Sequence, residues 1–195
     1  MIRGVMSAAC SRAQFVAPPS SVTFLTGAAN VTYSSSNRKI RSTSTWQTVP
    51  TSIQMPSSGK VYLEFYTDPP SGSSGPMIGV MQGSAIVAGS FIGALPSNPS
   101  ASVGVSTTRA NGAGWSVSLA GHVMTSAGVI GVAVDIGLGI IRWYSAGVMQ
   151  TQSEALFPAN SQNMYFAVSS HPLYGGVEIA QSSANTPSGY TYFTG

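Results

Sequence analysis

Charged side chains are scarce in this chain of 195 residues, of which only 7% are Asp, Glu, Lys or Arg. An ordinary soluble domain carries about 25%, so uncharged polar residues and glycine must cover most of the surface. The net charge of +3 reflects few acids, 5 against 8 bases, rather than many bases. The densest basic stretch is Arg38, Lys39 and Arg41, whose side chains alternate between the two faces of a strand. We therefore expect no nucleic-acid partner.

Cysteine and long apolar runs are also nearly absent. Cys10 is the single cysteine, which excludes an intrachain disulfide. The most apolar stretch, residues 128–147, contains Asp135 and several glycines, and its apolar run is shorter than the ~20 residues that a membrane-spanning helix needs. The apolar region before Cys10 is shorter than the ~7–15 residues of an export signal. We therefore expect no membrane association, and synthesis in the cytoplasm without export.

The chain does contain 43% hydrophobic residues, in many short runs bounded by glycine, proline, serine and asparagine. Short apolar runs with these boundary residues favour strands over helices. Lys60–Thr67 alternates between two faces, and Val129–Val134 with Ile140–Tyr144 predicts a central antiparallel hairpin. The further predicted strands are Val22–Leu25, Asn30–Tyr33, Arg38–Arg41, Trp46–Pro50, Ser52–Met55, Met77–Met81, Ser84–Phe91, Ala101–Ser106, Gly114–Leu119, Asn163–Ser169 and Gly176–Ile179.

These elements predict an all-β fold, an antiparallel β-sandwich over residues 22–195. Residues 1–21 have no clear period and end near two prolines, which predicts an extended N-terminal arm. Asn111-Gly112 predicts a hairpin turn, and Glu154–Gln162 predicts a connection between strands. The aromatic residues of Asn185–Gly195 are expected to pack against the edge of a sheet.

The central hairpin carries two predictions about single residues. Gly131 and Ala133 share one face of its first strand, and this small face leaves room for large aromatic side chains. Asp135 is expected to accept hydrogen bonds from the turn that Gly137 and Gly139 allow. The candidate aromatic partners are Tyr62, Phe65, Trp143 and Tyr144.

Several stretches resemble strands of the SPRY (B30.2/SPRY) family, whose fold is a concanavalin-like jelly roll. The similar stretches are Ser58–Phe65, Ile78–Val80, Gly131–Tyr144, Tyr165–Ser169, Trp46 and Pro187–Tyr190, the last of which is similar to phage and bacterial SPRY-like proteins. The chain departs from the family in having Ser145-Ala146-Gly147 after the aromatic strand and Phe166 at a position that is usually proline. The resemblance covers about residues 22–195 and implies the sandwich fold. It transfers no binding residue, because no family pocket matches position by position.

Groups that could carry out catalysis are few. Glycoside hydrolysis needs two carboxylates about 5–10 Å apart, and Glu64 and Asp135 are the candidates. His122 has no acid nearby and His171 lies in a His-Pro turn, so both are expected to be exposed loop residues. No spacing of His or Cys indicates a metal site. We therefore expect no enzymatic activity, no cofactor and no metal, with a glycan-cleaving enzyme as a remaining alternative.

Two non-enzymatic functions remain. The leading hypothesis is a structural protein of a bacteriophage virion, a capsid decoration or a tail or fibre component. It would form homo-oligomers, and its arm residues Val5, Phe15 and Val16 would dock to capsid or tail subunits. The alternative is an adhesin that binds a host surface glycan or protein through loops, as displayed loops often do. The candidate binding residues on these loops are Asp68, Ser73, Asn98, His171 and Tyr174.

Overall fold

The computed structural model describes residues 21–68, 75–94, 102–105, 110–113, 116–118, 128–181 and 185–195. Every regular element in these residues is a β-strand, and none of them forms a helix long and apolar enough to cross a membrane. The arm residues Val5, Phe15 and Val16, and the loop residues Ser73 and Asn98, lie outside the described residues.

The strands within those ranges follow the predicted all-β pattern. They are β1 (Val31–Ser34), β2 (Lys39–Ser42), β3 (Gln47–Pro50), β4 (Lys60–Thr67), β5 (Met77–Gln82), β6 (Val87–Ala88), β7 (Ser102–Val105), β8 (Ala110–Ala113), β9 (Ser116–Ser118), β10 (Val129–Asp135), β11 (Ile140–Ser145), β12 (Val148–Leu156), β13 (Met164–Ser170), β14 (Val177–Ile179) and β15 (Thr191–Tyr192).

Two sheets contain these strands. The first sheet has the order β1-β2-β14-β4-β10-β11-β12-β9, and β15 pairs with β4 in parallel. The second sheet has the order β6-β3-β13-β5-β7-β8. The pairs along both orders are antiparallel. The predicted antiparallel sandwich is therefore confirmed.

The hydrophobic core lies between the two sheets and contains side chains from both. Trp143 of β11 is fully buried, and its indole Nε1–H donates to the carbonyl oxygen of Ile78 in β5 at 3.0 Å. Phe65 of the first sheet packs edge-on against Phe166 of the second, with ring centroids 6.4 Å apart. Alternation along the strands thus turns one face of each sheet into a shared dry interior.

The predicted central hairpin is β10–β11, and its small face and the hydrogen bond to Asp135 are confirmed. Of the candidate aromatic partners, Tyr62 and Tyr144 lie on the small face, but Phe65 and Trp143 lie on the core face, because they pair opposite Ile130 and Val132. Glu64 pairs opposite Gly131 and Tyr62 opposite Ala133, so the Tyr62 ring lies over the small face of β10. Asp135 Oδ1 accepts a hydrogen bond from the Leu138 backbone N–H at 3.1 Å. The small residues therefore admit a large aromatic side chain from the neighbouring strand.

The end of the described chain returns to the first sheet. β15 pairs with Val61 and Tyr62 of β4, and Tyr192 and Phe193 are buried, as the sequence predicted for this segment. The backbone N–H of Ser21 donates to the carbonyl oxygen of Thr194 at 3.0 Å. The first and last described residues of the sandwich therefore lie side by side.

Several local predictions were wrong or only partly right. Asn111-Gly112 lies inside β8, because pairing with β7 overrides the local turn preference. Glu154–Leu156 belongs to β12 rather than to a connection, because it pairs with both β11 and β9. Three predicted strands are shorter or absent in the structure. Val22–Leu25 contains only a single bridge, from Phe24 to Thr51, and Ser84–Phe91 contains only the short strand Val87–Ala88. Ser52–Met55 contains no strand.

Candidate functional site: an aromatic cluster on the second sheet

Four aromatic rings meet at one end of the second sheet. The Trp46 ring centroid lies 5.3 Å from that of Phe91, 5.2 Å from that of His171 and 5.3 Å from that of Tyr174. The His171 and Tyr174 centroids are 4.9 Å apart. All four side chains are half-buried. We call these four residues the aromatic cluster, and Trp46 is its centre.

Strand pairing brings Trp46 and His171 together although they are far apart in the sequence. β3 and β13 are antiparallel, and Gln47 pairs with Ser170 at the end of the ladder. One step beyond that pair, the same register places Trp46 opposite His171. Because Val49 of β3 belongs to the core, alternation directs Trp46 to the outer face of the sheet. The pairing of β3 with β13 therefore positions two of the four rings of the cluster.

A buried set of hydrogen bonds holds Phe91 against Trp46. Ser169 Oγ accepts from the Ile92 backbone N–H at 2.8 Å and lies 2.7 Å from Thr48 Oγ1. Thr48 Oγ1 donates to the carbonyl oxygen of Ser90 at 2.9 Å. Both hydroxyl side chains are fully buried. The hydrogen bonds of Thr48 and Ser169 hold residues 90–92 against the outer face of β3 and β13. Phe91 lies between the two bonded residues and is therefore held beside Trp46.

The turn after β13 positions the remaining two rings. The Tyr174 backbone N–H donates to the His171 carbonyl oxygen at 2.9 Å, which closes the turn. His171 Nδ1 accepts from the Leu173 backbone N–H at 3.3 Å. An accepting Nδ1 leaves the imidazole proton on Nε2 in the neutral ring. The turn thus orients both rings and leaves Nε2–H as a hydrogen-bond donor.

One ion pair ties this turn to the first sheet. Asp68 Oδ1 lies 2.7 Å from Lys39 Nζ, and Asp68 Oδ2 accepts from the Gly176 backbone N–H at 3.2 Å. Both side chains are about a third exposed, so the pair contributes at most about 1 kcal/mol to stability. Its main effect is on position and charge, because the two charges neutralise each other beside the turn.

The structure brings together three of the predicted binding residues. His171 and Tyr174 are in the aromatic cluster, and Asp68 anchors the turn that carries them. The sequence predicted Trp46 and Phe91 as end residues of two strands, and it singled out neither as a binding residue. Their only signal was that each is a large aromatic residue beside a polar stretch, which did not reveal that they meet.

The two candidate catalytic carboxylates do not form a pair. Glu64 pairs opposite Gly131 and Asp135 pairs opposite Lys60, and four residues of strand separate these levels by about 13 Å. Glu64 is buried, and its Oε1 accepts from the Tyr62 hydroxyl at 2.8 Å. Burial raises the pKa of Asp135, but the hydrogen bonds from Lys60 and from the backbone of Leu138 outweigh it, and the net pKa is below its ordinary value. Each acid is instead bonded within the fold, Glu64 to Tyr62 and Asp135 to Lys60 and Leu138.

In the part of the chain that the structure describes, no three His, Cys, Asp or Glu side chains come together in a way that would hold a metal ion.

Comparisons with known proteins agree with the fold. No family model and no curated protein matches the sequence. Among solved structures, the crystal structure of the TRIM65 PSpry domain is similar, with a TM-score of 0.53 and 15% identity over 82% of this chain and 90% of that chain. The stonustoxin structure is similar with a TM-score of 0.51 and 17% identity over 82% of this chain and 27% of that chain. The chain therefore has a SPRY-like β-sandwich fold.

Proposed function

We propose that this chain is a non-enzymatic binding module that recognises a neutral glycan through the aromatic cluster. The observation that supports this function most directly is the meeting of four half-buried rings at one end of the second sheet. Clusters of this kind have an apolar body and polar edges, which suits a partner that is flat on one side and hydrated on the other. Sugar rings have that character.

Each member of the cluster has a distinct role in this proposal. Trp46 offers the largest face for stacking, and Phe91 supports it from the side of residues 90–92. His171 Nε2–H and the Tyr174 hydroxyl supply polar groups for sugar hydroxyls. The adjoining Lys39–Asp68 pair is neutral as a unit. A neutral ligand therefore fits this surface better than a strongly charged one.

A glycan array with the purified protein tests the proposal. The wild type is expected to bind a subset of neutral glycans, and Trp46→Ala is expected to abolish that binding. Tyr66→Ala is the matched control, because Tyr66 is an exposed aromatic residue outside the cluster. Tyr174→Ala is a second test variant for the case in which Trp46→Ala does not fold.

Three outcomes, the second from a pull-down with the same four proteins, contradict the proposal to different extents. Binding that survives both cluster variants places recognition elsewhere. A partner protein captured only by the wild type and by Tyr66→Ala would replace the glycan with a protein ligand at the same surface. Cleavage of a glycan by the wild type would contradict the non-enzymatic role.

A structural role in a bacteriophage virion is the second candidate. It is favoured by exposed apolar side chains on β12 and at the β10–β11 turn, in a chain with few charges. Surfaces of this kind often become buried in assemblies. The exposed residues are Leu138, Val148, Met149 and Leu156. Deleting residues 1–20 is expected to leave the sandwich folded but unable to join purified particles, and normal incorporation would refute docking through the arm.

A further inference from the structure

The outer face of the first sheet carries an apolar centre at one end of the central hairpin. Ile140 of β11 and Leu156 of β12 are cross-strand partners, and Leu138 lies in the turn beside them. The exposed fraction is 65% for Leu138 and 50% for Leu156, and Ile140 is half-buried. Three neighbouring apolar side chains therefore face solvent in a region that is otherwise well paired.

Charged side chains flank this apolar centre on two sides. On one side Lys60 Nζ lies 3.0 Å from Asp135 Oδ2, and on the other Arg142 Nε lies 2.7 Å from Glu154 Oε2. The side chains of Lys60 and Glu154 are 48% and 43% exposed. The Asp135 side chain is only 5% exposed, so the charges that this surface presents are those of Lys60, Arg142 and Glu154. We call Lys60, Leu138, Ile140, Arg142, Glu154 and Leu156 the hairpin patch.

We propose that the hairpin patch binds the same patch of a second copy of this chain in a two-fold symmetric dimer. In such a dimer one surface must be complementary to itself. Neighbouring strands are about 4.8 Å apart and residues along a strand about 3.3 Å apart. With these spacings, a two-fold axis that runs parallel to the sheet, just above its outer face near Ile140, brings Lys60 opposite the partner's Glu154.

The same axis also brings the apolar residues of the two patches together. It brings Leu138 opposite the partner's Leu156 and stacks Ile140 on the partner's Ile140. Apolar groups therefore meet apolar groups in the middle while opposite charges meet at the rim, which is the ordinary anatomy of a specific interface.

Charge is the reason to choose a second copy over an unrelated partner. The exposed cation Lys60 lies on one side of the apolar centre and the exposed anion Glu154 on the other, so the charges of the patch are complementary to those of a second copy turned by a two-fold rotation. This inference goes beyond the proposed function and does not depend on it. The aromatic cluster lies on the outer face of the second sheet, so both copies in the dimer keep it free.

Sedimentation velocity of the full chain tests whether the dimer forms. The wild type is expected to sediment as a dimer at high micromolar concentration. Leu156→Asp is expected to raise the dimer dissociation constant tenfold or more, because it places an unpaired charge in the centre of the patch. Val148→Asp is the matched control on the same strand, outside the patch, and is expected to leave the dimer intact. A monomeric wild type, or a dimer that Leu156→Asp does not weaken, overturns the proposal.

A charge exchange tests which residues face each other. Lys60→Glu alone and Glu154→Lys alone are each expected to weaken the dimer, because like charges then meet at both symmetric contacts. An equimolar mixture of the two variants is expected to restore it, because opposite charges then meet at both contacts. The ion pairs within each chain remain broken in the mixture, so they cannot produce the recovery. A mixture no more dimeric than either variant overturns the proposed pairing.

Discussion

The Tyr62 hydroxyl occupies the space that a side chain at Gly131 would need. A Cβ built on Gly131 would overlap the hydroxyl and the ring of Tyr62. From this position the Tyr62 hydroxyl donates to Glu64 Oε1 at 2.8 Å, and its ring lies edge-on to Tyr144 with centroids 5.7 Å apart. A glycine on the central strand thus makes room for a buried polar pair on the outer face of the first sheet.

We expect Gly131→Ala to destabilise the fold by about 1–3 kcal/mol, the usual cost of overpacking a buried site. Urea unfolding followed by fluorescence measures this change. Gly137→Ala is the matched control on the same hairpin, because the nearest atom to an added Cβ there is Asp135 Oδ1 at 3.6 Å, an ordinary contact. Equal stability of the two variants would show that the Tyr62 ring is not held where the structure has it.

Trp143 connects the two sheets through packing and one hydrogen bond. Trp143→Ala is expected to cost about 3–5 kcal/mol, because it leaves a cavity in the core. Trp143→Phe keeps most of the packing but leaves the Ile78 carbonyl without its donor, and we expect a cost of about 1–3 kcal/mol. Thermal and urea unfolding of both variants check the order. A Trp143→Ala protein that melts like the wild type would contradict the core described above.

Alkaline pH should weaken the fold through the buried tyrosines. Burial and then the hydrogen bond to Glu64 raise the pKa of Tyr62, and burial and then the charge of Glu64 raise the pKa of Tyr192. Unfolded tyrosine ionises near pH 10, and the native state retains the neutral hydroxyl. The stability from these groups is therefore fully present below about pH 10 and is lost as the pH rises towards the native pKa.

Urea unfolding at a series of alkaline pH values checks this prediction. We expect the wild type to lose stability steeply above about pH 10 and Tyr62→Phe to lose it less steeply, because that variant has no hydroxyl to ionise at this position. Parallel curves for the two proteins would assign the alkaline loss to other groups.

Ser169 is expected to control residues 90–92 and, through them, Phe91. Ser169→Ala removes the acceptor of the Ile92 N–H and the partner of Thr48, both buried, and the expected cost is about 1–3 kcal/mol. Hydrogen exchange at the Ile92 amide should become faster than in the wild type. Ser161→Ala is the control, because its hydroxyl bonds the Pro158 carbonyl at the surface. Unchanged exchange at Ile92 would mean that other contacts hold this segment.

The central hairpin could be predicted from the sequence because its signals are local. Val129–Val134 is a β-branched run bounded by glycine, and the glycines after Asp135 mark the turn. β12 could not be predicted in the same way, because Val148–Leu156 is mostly polar and becomes a strand by pairing with β11 and β9. The turn predicted at Asn111-Gly112 was wrong for a similar reason, because pairing with β7 makes these two residues part of a strand.

Only two of the four residues of the aromatic cluster could be predicted from the sequence as binding residues. His171 and Tyr174 lie in one short predicted turn, so their closeness in the sequence predicted that they are neighbours. Trp46 and Phe91 join them through the register of β3 with β13 and through two buried hydroxyl groups. Register depends on which strands pair, and pairing between strands that are distant in the chain could not be predicted from the local pattern of a single sequence.

The contact between Ser21 and Thr194 has a consequence for how this fold can be used. Because the backbone enters and leaves the described sandwich at neighbouring points, the unit can be spliced into a loop of a carrier protein as a cassette. For the same reason, a circular permutant that joins residue 195 to residue 21 through a short linker, with new ends opened in an exposed turn such as residues 35–38, should fold as the parent does.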